Sequence, residues 1–486
     1  MKLNTILIIL GLLLFTNCDD FLDLTPISEE TSADAYTTAS QIEAALTGSY
    51  ESFQSSEYYV WDYLLFQDMR ADNNYAGGDN PEIFAIDFLD IAPTHSRLFT
   101  HWSNLYNAIS KANVVLERVN QISDAQLTDE RKAQIRGEAL FLRSYHYFTL
   151  AKLWGSVPLI TSSIKATTAE SVNIPKSPIE DIYAQITDDL ELAATLLPDT
   201  YGSSSITKAR ATAGAAHALA AKAYAQQPNP NYDAVLAHIR EVENSAAGYT
   251  LINYSELFDG NNPNNAESII EVQYLGGNEG NFGPQLLLPP SVTGDTWRKF
   301  VTPSVDLISA FDAEEDTVRK NASILFEQVQ WVDEFWGNSA GSTIPFSYKW
   351  KNANGFASPD NTYLIRYGDI VLLKAEALNE LNQLDAAVIE VNRIRNRAQL
   401  PDLTDTQKSS KSVLKQNILK ERRLELFQEG QRWDDLVRYG EIITTMNNLL
   451  EIDLRTNTAI NYNMTASKIF LPIPQQELDR NPALEP

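Results

Sequence analysis

The chain has 486 residues, one cysteine, five histidines and a formal net charge of −26. That length allows two or three domains' worth of core, and 44% apolar residues is ordinary for a globular protein. One cysteine excludes a disulfide framework and any Cys₄ or Cys₂His₂ zinc site. The acidity argues against nucleic acids and other polyanions, which need a basic footprint, and leaves a neutral or cationic ligand or a protein partner.

The N-terminus reads Lys2, an apolar run from Ile6 to Phe15, then Thr16-Asn17-Cys18. A short basic start and an apolar run too short for a bilayer core of ~30 Å predict a lipoprotein signal peptide over residues 1–17. Cys18 is then the lipid acceptor. Phe15-Thr16-Asn17 departs from the small residues usual before such a cysteine. No later stretch approaches 18 apolar residues, so the mature chain is expected to be anchored without spanning. Acyl chains contribute ~0.8 kcal/mol per buried CH₂, and an acidic body gains nothing from an anionic lipid surface. Asp19 and Asp20 leave the choice of membrane open.

Asp68 to Gly78 reads as a polar loop in which Tyr75 is expected to be exposed and available to a ligand. Asp72 to Ile83 matches a calcium loop at Asp72, Asn74 and Gly77 but has Ala76 and Ile83 at ligand positions, so no calcium is expected there. Ile135, Ala139, Leu142, His146, Leu150 and Leu153 form a helical stripe ending at Gly155. A turn-rich connection, Trp154 to Lys176, follows. Ser177-Pro178-Ile179-Glu180 predicts an N-cap, a proline at the first helical position and a capping-box glutamate. Ile179, Ile182, Ile186, Leu190, Ala193 and Leu197 continue that helix until Pro198 stops it.

Residues 219–242 superpose on 371–394. Leu219/Val371, Ala223/Ala375, Val235/Ala387, Ile239/Val391 and Val242/Ile394 are apolar in both, and Asp233-Ala234 matches Asp385-Ala386. Such repeats suggest tetratricopeptide-type hairpins that stack to bury their faces, and the alanine-dense stretch Arg210–Ala225 suits close packing. Beta structure is expected only in short pieces, over 268–274 and 468–473. Gly276–Pro303 and Trp336–Asp360, rich in Gly, Pro, Asn and Ser, read as long loops that carry binding. The fold class is therefore mainly α: helical hairpins forming one scaffold, with long irregular loops and a few short strands.

Catalysis has little to stand on. No two histidines have the spacing of a zinc-binding helix, Cys18 is committed to lipid, and no G-x-S-x-G, P-loop or G-x-G-x-x-G occurs. A glycosidase pair among the 64 acidic residues is recognised only by separation in space. Aromatics are more informative. Trp297, Trp331 and Trp336 fall in or beside the irregular regions, where an indole can stack on the C–H face of a sugar while Asn, Asp and Arg take its hydroxyls. Trp102, Trp154 and Trp433 sit among helical apolar neighbours and are expected to pack.

Several segments together resemble the SusD/RagB lipoproteins of the Bacteroidetes. These are Cys18-Asp-Asp-Phe-Leu-Asp-Leu-Thr-Pro26, Gly137-Glu-Ala-Leu-Phe-Leu-Arg143 with Leu153-Trp-Gly-Ser-Val-Pro-Leu159, Asn392-Arg-Ile-Arg-Asn-Arg-Ala398, Glu421-Arg-Arg-Leu-Glu-Leu426 with Arg432-Trp433, and Leu471-Pro-Ile-Pro474. The resemblance implies a tetratricopeptide-like helical protein on the outer face of the outer membrane. Such a protein binds a nutrient as the hinged lid of a SusC-like TonB-dependent transporter, with no catalytic residue, cofactor or metal. It divides the chain into a signal peptide (1–17), an N-terminal SusD-like region (18–230) and a C-terminal SusD/RagB region (231–486) within one globular unit. By position it places ligand contacts at Asn73, Asn74 and Tyr75 with Trp297, Trp331 and Trp336. The expected ligand is a neutral oligosaccharide, with β-glucans such as laminarin the class named, bound at ~μM to mM; the alternative is a peptide, as in RagAB-type importers.

Overall fold

The computed structural model describes residues 35–485 apart from 56, 164–167, 338 and 455. Cys18 and the apolar run before it lie outside the described residues. The fold is mainly α, with short two-stranded ladders between helices.

Helix α1 (Ala39–Tyr50) starts at a reciprocal capping box between Thr38 and Gln41 and lays Ile42 and Leu46 on α2 (Ser96–Arg118). Helix α3 (Asp129–Trp154) is capped by Thr128, whose Oγ1 accepts from the Arg131 amide at 3.1 Å. It ends at Gly155, whose φ of 70° favours a residue without Cβ. Every member of its expected stripe is fully buried. From Gly137 onward the whole helix is buried, because α1, α2 and α4 (Ile179–Leu196) pack around it. Helix α4 stops before Pro198 as expected, but its cap differs: Pro178 itself is the N-cap, extended at ψ 145°, and no side chain caps the first turn. Ser177 lies one residue too early, because the first-turn amides of Asp181 and Ile182 donate to Pro178 O at 3.1 and 3.2 Å.

The internal repeat is two helical hairpins, α5 (Ala213–Gln226) with α6 (Tyr232–Asn244), and α7 (Tyr367–Glu380) with α8 (Leu384–Arg397). All ten matched apolar positions are at most 1% exposed. Small residues such as Ala223 and Ala375 let the helices approach closely, and α6 packs on α7 to stack the two pairs. Helices α9 (Lys411–Glu425) and α10 (Arg432–Tyr439) complete the C-terminal side, where Trp433 is fully buried beneath the Arg70 guanidinium, 3.7 Å from the ring centre. Trp102 and Trp154 are buried as expected.

Six strands matter for the site: β1 (Asn74–Ala76), β2 (Ser268–Val272), β3 (Val301–Pro303), β4 (Ile324–Gln328), β5 (Thr343–Ser347) and β6 (Thr362–Arg366). They pair antiparallel as β1–β3, β2–β6 and β4–β5. The strand expected over 468–473 does not form. Pro472 and Pro474 remove ladder donors, and the segment instead lies on the end of α3, the Leu471 amide donating to Leu153 O at 2.7 Å. The two long loops are partly ordered, carrying β3, β5 and the short helical turns Pro284–Leu287 and Pro290–Thr293.

A buried ionic cluster locks β6 to α8 and α9. The Arg366 guanidinium donates to Glu267 at 2.8 Å, Glu425 at 2.6 Å and Glu429 at 2.6 Å, and Arg397 pairs with Glu267 at 2.9 Å. Removing one member would strand a buried charge, a loss of about 3–5 kcal/mol.

Candidate functional site

The site is organised from β1 and β3, which set Tyr75 opposite Thr302. Tyr75 is fully buried, contrary to the exposed position expected from its polar neighbours. Its hydroxyl donates to both carboxylate oxygens of Asp333, each at 2.8 Å, and its ring meets Phe335 edge-on at 4.4 Å. Burial, reinforced by the Asp333 charge, pushes the Tyr75 hydroxyl well above its usual range, so it remains a donor. Asp333 also accepts from the backbone amides of Phe335 (3.0 Å) and Trp336 (2.9 Å). One buried carboxylate therefore closes the turn that carries Trp336.

Asn73 and Asn74 are likewise turned inward, each 1% exposed. Asn73 Oδ1 accepts from Arg423 at 2.7 Å and Asn74 Oδ1 from Gln428 at 3.0 Å. All three residues from 73 to 75 thus face internal partners and offer no ligand surface in this structure. Asp72 is similarly engaged by Arg432, with both contacts at 2.6 Å.

The three tryptophans are half-buried. Trp336 donates from Nε1 to Pro303 O at 3.1 Å and meets Phe326 edge-on, with ring centres 6.0 Å apart. Trp331 stands edge-on to Phe346. Trp297 carries the Lys299 ammonium 3.7 Å above its ring centre and leans on Phe300 at 5.7 Å. Lys299 is held by Asp295 at 2.7 Å and donates to Gln285 O at 3.0 Å; burial lowers its pKa, which Asp295 opposes. Trp331 and Trp336 share one apolar cluster, and an Arg298–Glu334 ion pair ties the Trp297 loop to their turn. Phe326 and Val332, each 38% exposed, extend the apolar surface beside them.

A second aromatic pair escaped the sequence reading. Phe282 and Phe356 stack with ring centres 4.9 Å apart at 26°. Phe356 is 41% exposed and held at φ 70°, a conformation a bulky residue adopts at a cost. Their loops are joined by the Asn281 amide on Ser358 O at 2.8 Å. The signal was present in Asn281-Phe282-Gly283 and Gly355-Phe356, an aromatic beside glycine in both irregular regions.

Fully buried His146 shares a hydrogen bond of 2.7 Å with Tyr58 through Nδ1, fully buried His101 packs among Tyr58, Phe66 and Trp154, and half-buried His217 and His238 face each other at 2.9 Å. Among the described residues, no group of three or more His, Cys, Asp or Glu is arranged to hold a metal ion. No described helix is long and apolar enough to cross a membrane.

Residues 20–225 match the family model described as starch-binding associating with outer membrane, and residues 292–485 match that of the SusD family. The chain belongs to the SusD/RagB family. A SusD-like protein of Bacteroides ovatus is 26% identical over 559 residues, covering 100% of this chain and 97% of that protein. The starch-binding protein SusD of Bacteroides thetaiotaomicron is 25% identical over 438 residues, 76% of this chain and 75% of its own. Among solved structures, a laminarin binding SusD-like protein superposes with a TM-score of 0.74 at 25% identity, covering 92% of this chain and 98% of that one. SusD-family membership accounts for the helical scaffold, and with it goes the outer-membrane association that the family description carries.

Proposed function

We propose that this SusD-family protein is a cell-surface lipoprotein, held to the outer membrane through Cys18, that captures a neutral oligosaccharide and delivers it to a SusC-like TonB-dependent transporter. It binds and performs no chemistry. The observation that carries this reading is a set of half-buried tryptophans, Trp297, Trp331 and Trp336, fixed on loops that an internal carboxylate and an ion pair hold in place, in a chain whose structural relatives include a laminarin-binding protein. Stacking needs rigid rings whose orientation is settled before the ligand arrives. In this reading Tyr75 serves the ligand through the second of those loops, by anchoring it from inside, while Asn73 and Asn74 hold Arg423 and Gln428. The ligand's neutrality rests on the strongly acidic chain. The relatives named above are described by starch and laminarin, which supports the glycan reading over the peptide alternative.

The test is native electrophoresis of the purified protein through gels containing laminarin, starch, other neutral glycans or a uronic-acid polymer, beside titrations with peptide mixtures. Retardation by a neutral glycan is expected; retention by peptides alone would overturn the proposal.

A further inference from the structure

A cleft open to solvent lies between the turn of helix at Tyr59–Leu64, the loop 257–263 and the segment from Trp350 to Tyr363. None of the six residues expected to bind ligand lines it.

Its walls are aromatic. Tyr59 and Tyr63 stack at 4.7 Å, Phe258 meets Tyr363 edge-on at 6.0 Å, and Trp350 closes another side. The charges lining it are already committed. Glu429 takes Arg366 and Lys349; Glu271 accepts from the Asn264 amide and, at 2.9 Å, from Asn361 Nδ2. Asp360 accepts from the amides of Lys351 (2.6 Å) and Asn352 (2.9 Å). A charged ligand would find no free counter-charge among these groups and would have to break one of these pairings.

One polar group is not committed. Gln428 lines the cavity and is 2% exposed; its amide nitrogen donates to Asn74, while its Oε1 is buried without a partner. An orphaned buried acceptor is costly, and a ligand hydroxyl that reached it would recover that cost. Apolar ring walls, neutralised charges and an acceptor waiting for a hydroxyl are together complementary to an uncharged polyol ring.

We propose that this cleft is a second carbohydrate site, seating part of a neutral sugar chain independently of the tryptophan-bearing loops. The proposal borrows its ligand class from the glycan-binding reading but not its location.

Asn262 stands exposed on the rim, so Asn262→Trp obstructs the mouth without entering the core. The Trp297→Ala/Trp336→Ala double variant isolates the cavity. Titrating it calorimetrically with laminaribiose should give saturable binding of one disaccharide per chain, weakened at least tenfold by adding Asn262→Trp and left intact by Asn262→Ser. Gln428→Leu, checked for an unchanged far-ultraviolet spectrum, should weaken it similarly. A double variant that binds nothing while the wild type binds glycan overturns the cavity site and leaves the proposed function standing. Binding indifferent to Asn262→Trp overturns it too. A wild type that binds no glycan at all overturns both.

Discussion

Removing a single oxygen tests how the tryptophan turn is held. Tyr75→Phe keeps the ring against Phe335 but deletes the hydroxyl that donates to both oxygens of Asp333 at 2.8 Å. Asp333 is 2% exposed, so water cannot readily replace the lost donor, although the amides of Phe335 and Trp336 remain. A hydrogen bond to a charged group contributes about 1.5–3 kcal/mol, and that is the expected loss. It should fall on the turn first. Local opening at 333–336 should become roughly tenfold to a hundredfold more frequent. Native-state hydrogen exchange read by mass spectrometry over this segment reports that directly, with urea unfolding for the global effect. Unchanged exchange across 333–337 together with an unchanged urea midpoint would refute the view that Tyr75 anchors the turn.

Three further outcomes are expected. Burial alone would raise the Asp72 carboxyl, but Arg423 and Arg432 hold it down at about 2, so its contribution is present above the ordinary carboxylate range and lost as pH falls from about 4 to 2. The stability advantage of the wild type over Asp72→Asn should therefore shrink by about 2 kcal/mol between pH 5 and pH 2 in urea titrations, and a pH-independent difference would contradict this. Cys18→Ala should leave the protein unlipidated and absent from the outer-membrane fraction; its retention there would count against the anchor. Trp297→Ala and Trp336→Ala should each weaken glycan binding roughly twofold to tenfold, the share of ~0.5–1.5 kcal/mol that an aromatic contact adds beyond burial, with little change in melting temperature.

The helical frame was legible because its signals are local. The stripe from Ile135 to Leu153, the stop at Gly155 and the ten matched positions of the repeat follow from period 3.6 and from backbone chemistry, and all occupy the core. Where local signals compete, the outcome shifts: Pro178 took the cap from Ser177, and Pro472 with Pro474 kept an apolar segment out of any ladder. The site was legible only in part. Loop tryptophans announce themselves by composition, whereas Asn73, Asn74 and Tyr75 read as a polar loop because their partners Arg423, Gln428 and Asp333 lie 350, 354 and 258 residues away. Burial of a polar triplet by such distant partners leaves no trace in its own neighbourhood. Phe282 and Phe356 are each visible beside glycine, but their pairing is not, since the two halves of the stack come from separate loops.

The central question is whether the tryptophan-bearing loops hold the glycan. Calorimetric titration of a laminarin oligosaccharide into the wild type and into the Trp297→Ala/Trp331→Ala/Trp336→Ala variant decides it. The wild type should bind saturably at ~μM to mM and the variant at least tenfold more weakly, with the fold intact by circular dichroism. Equal affinity in the two proteins would contradict it.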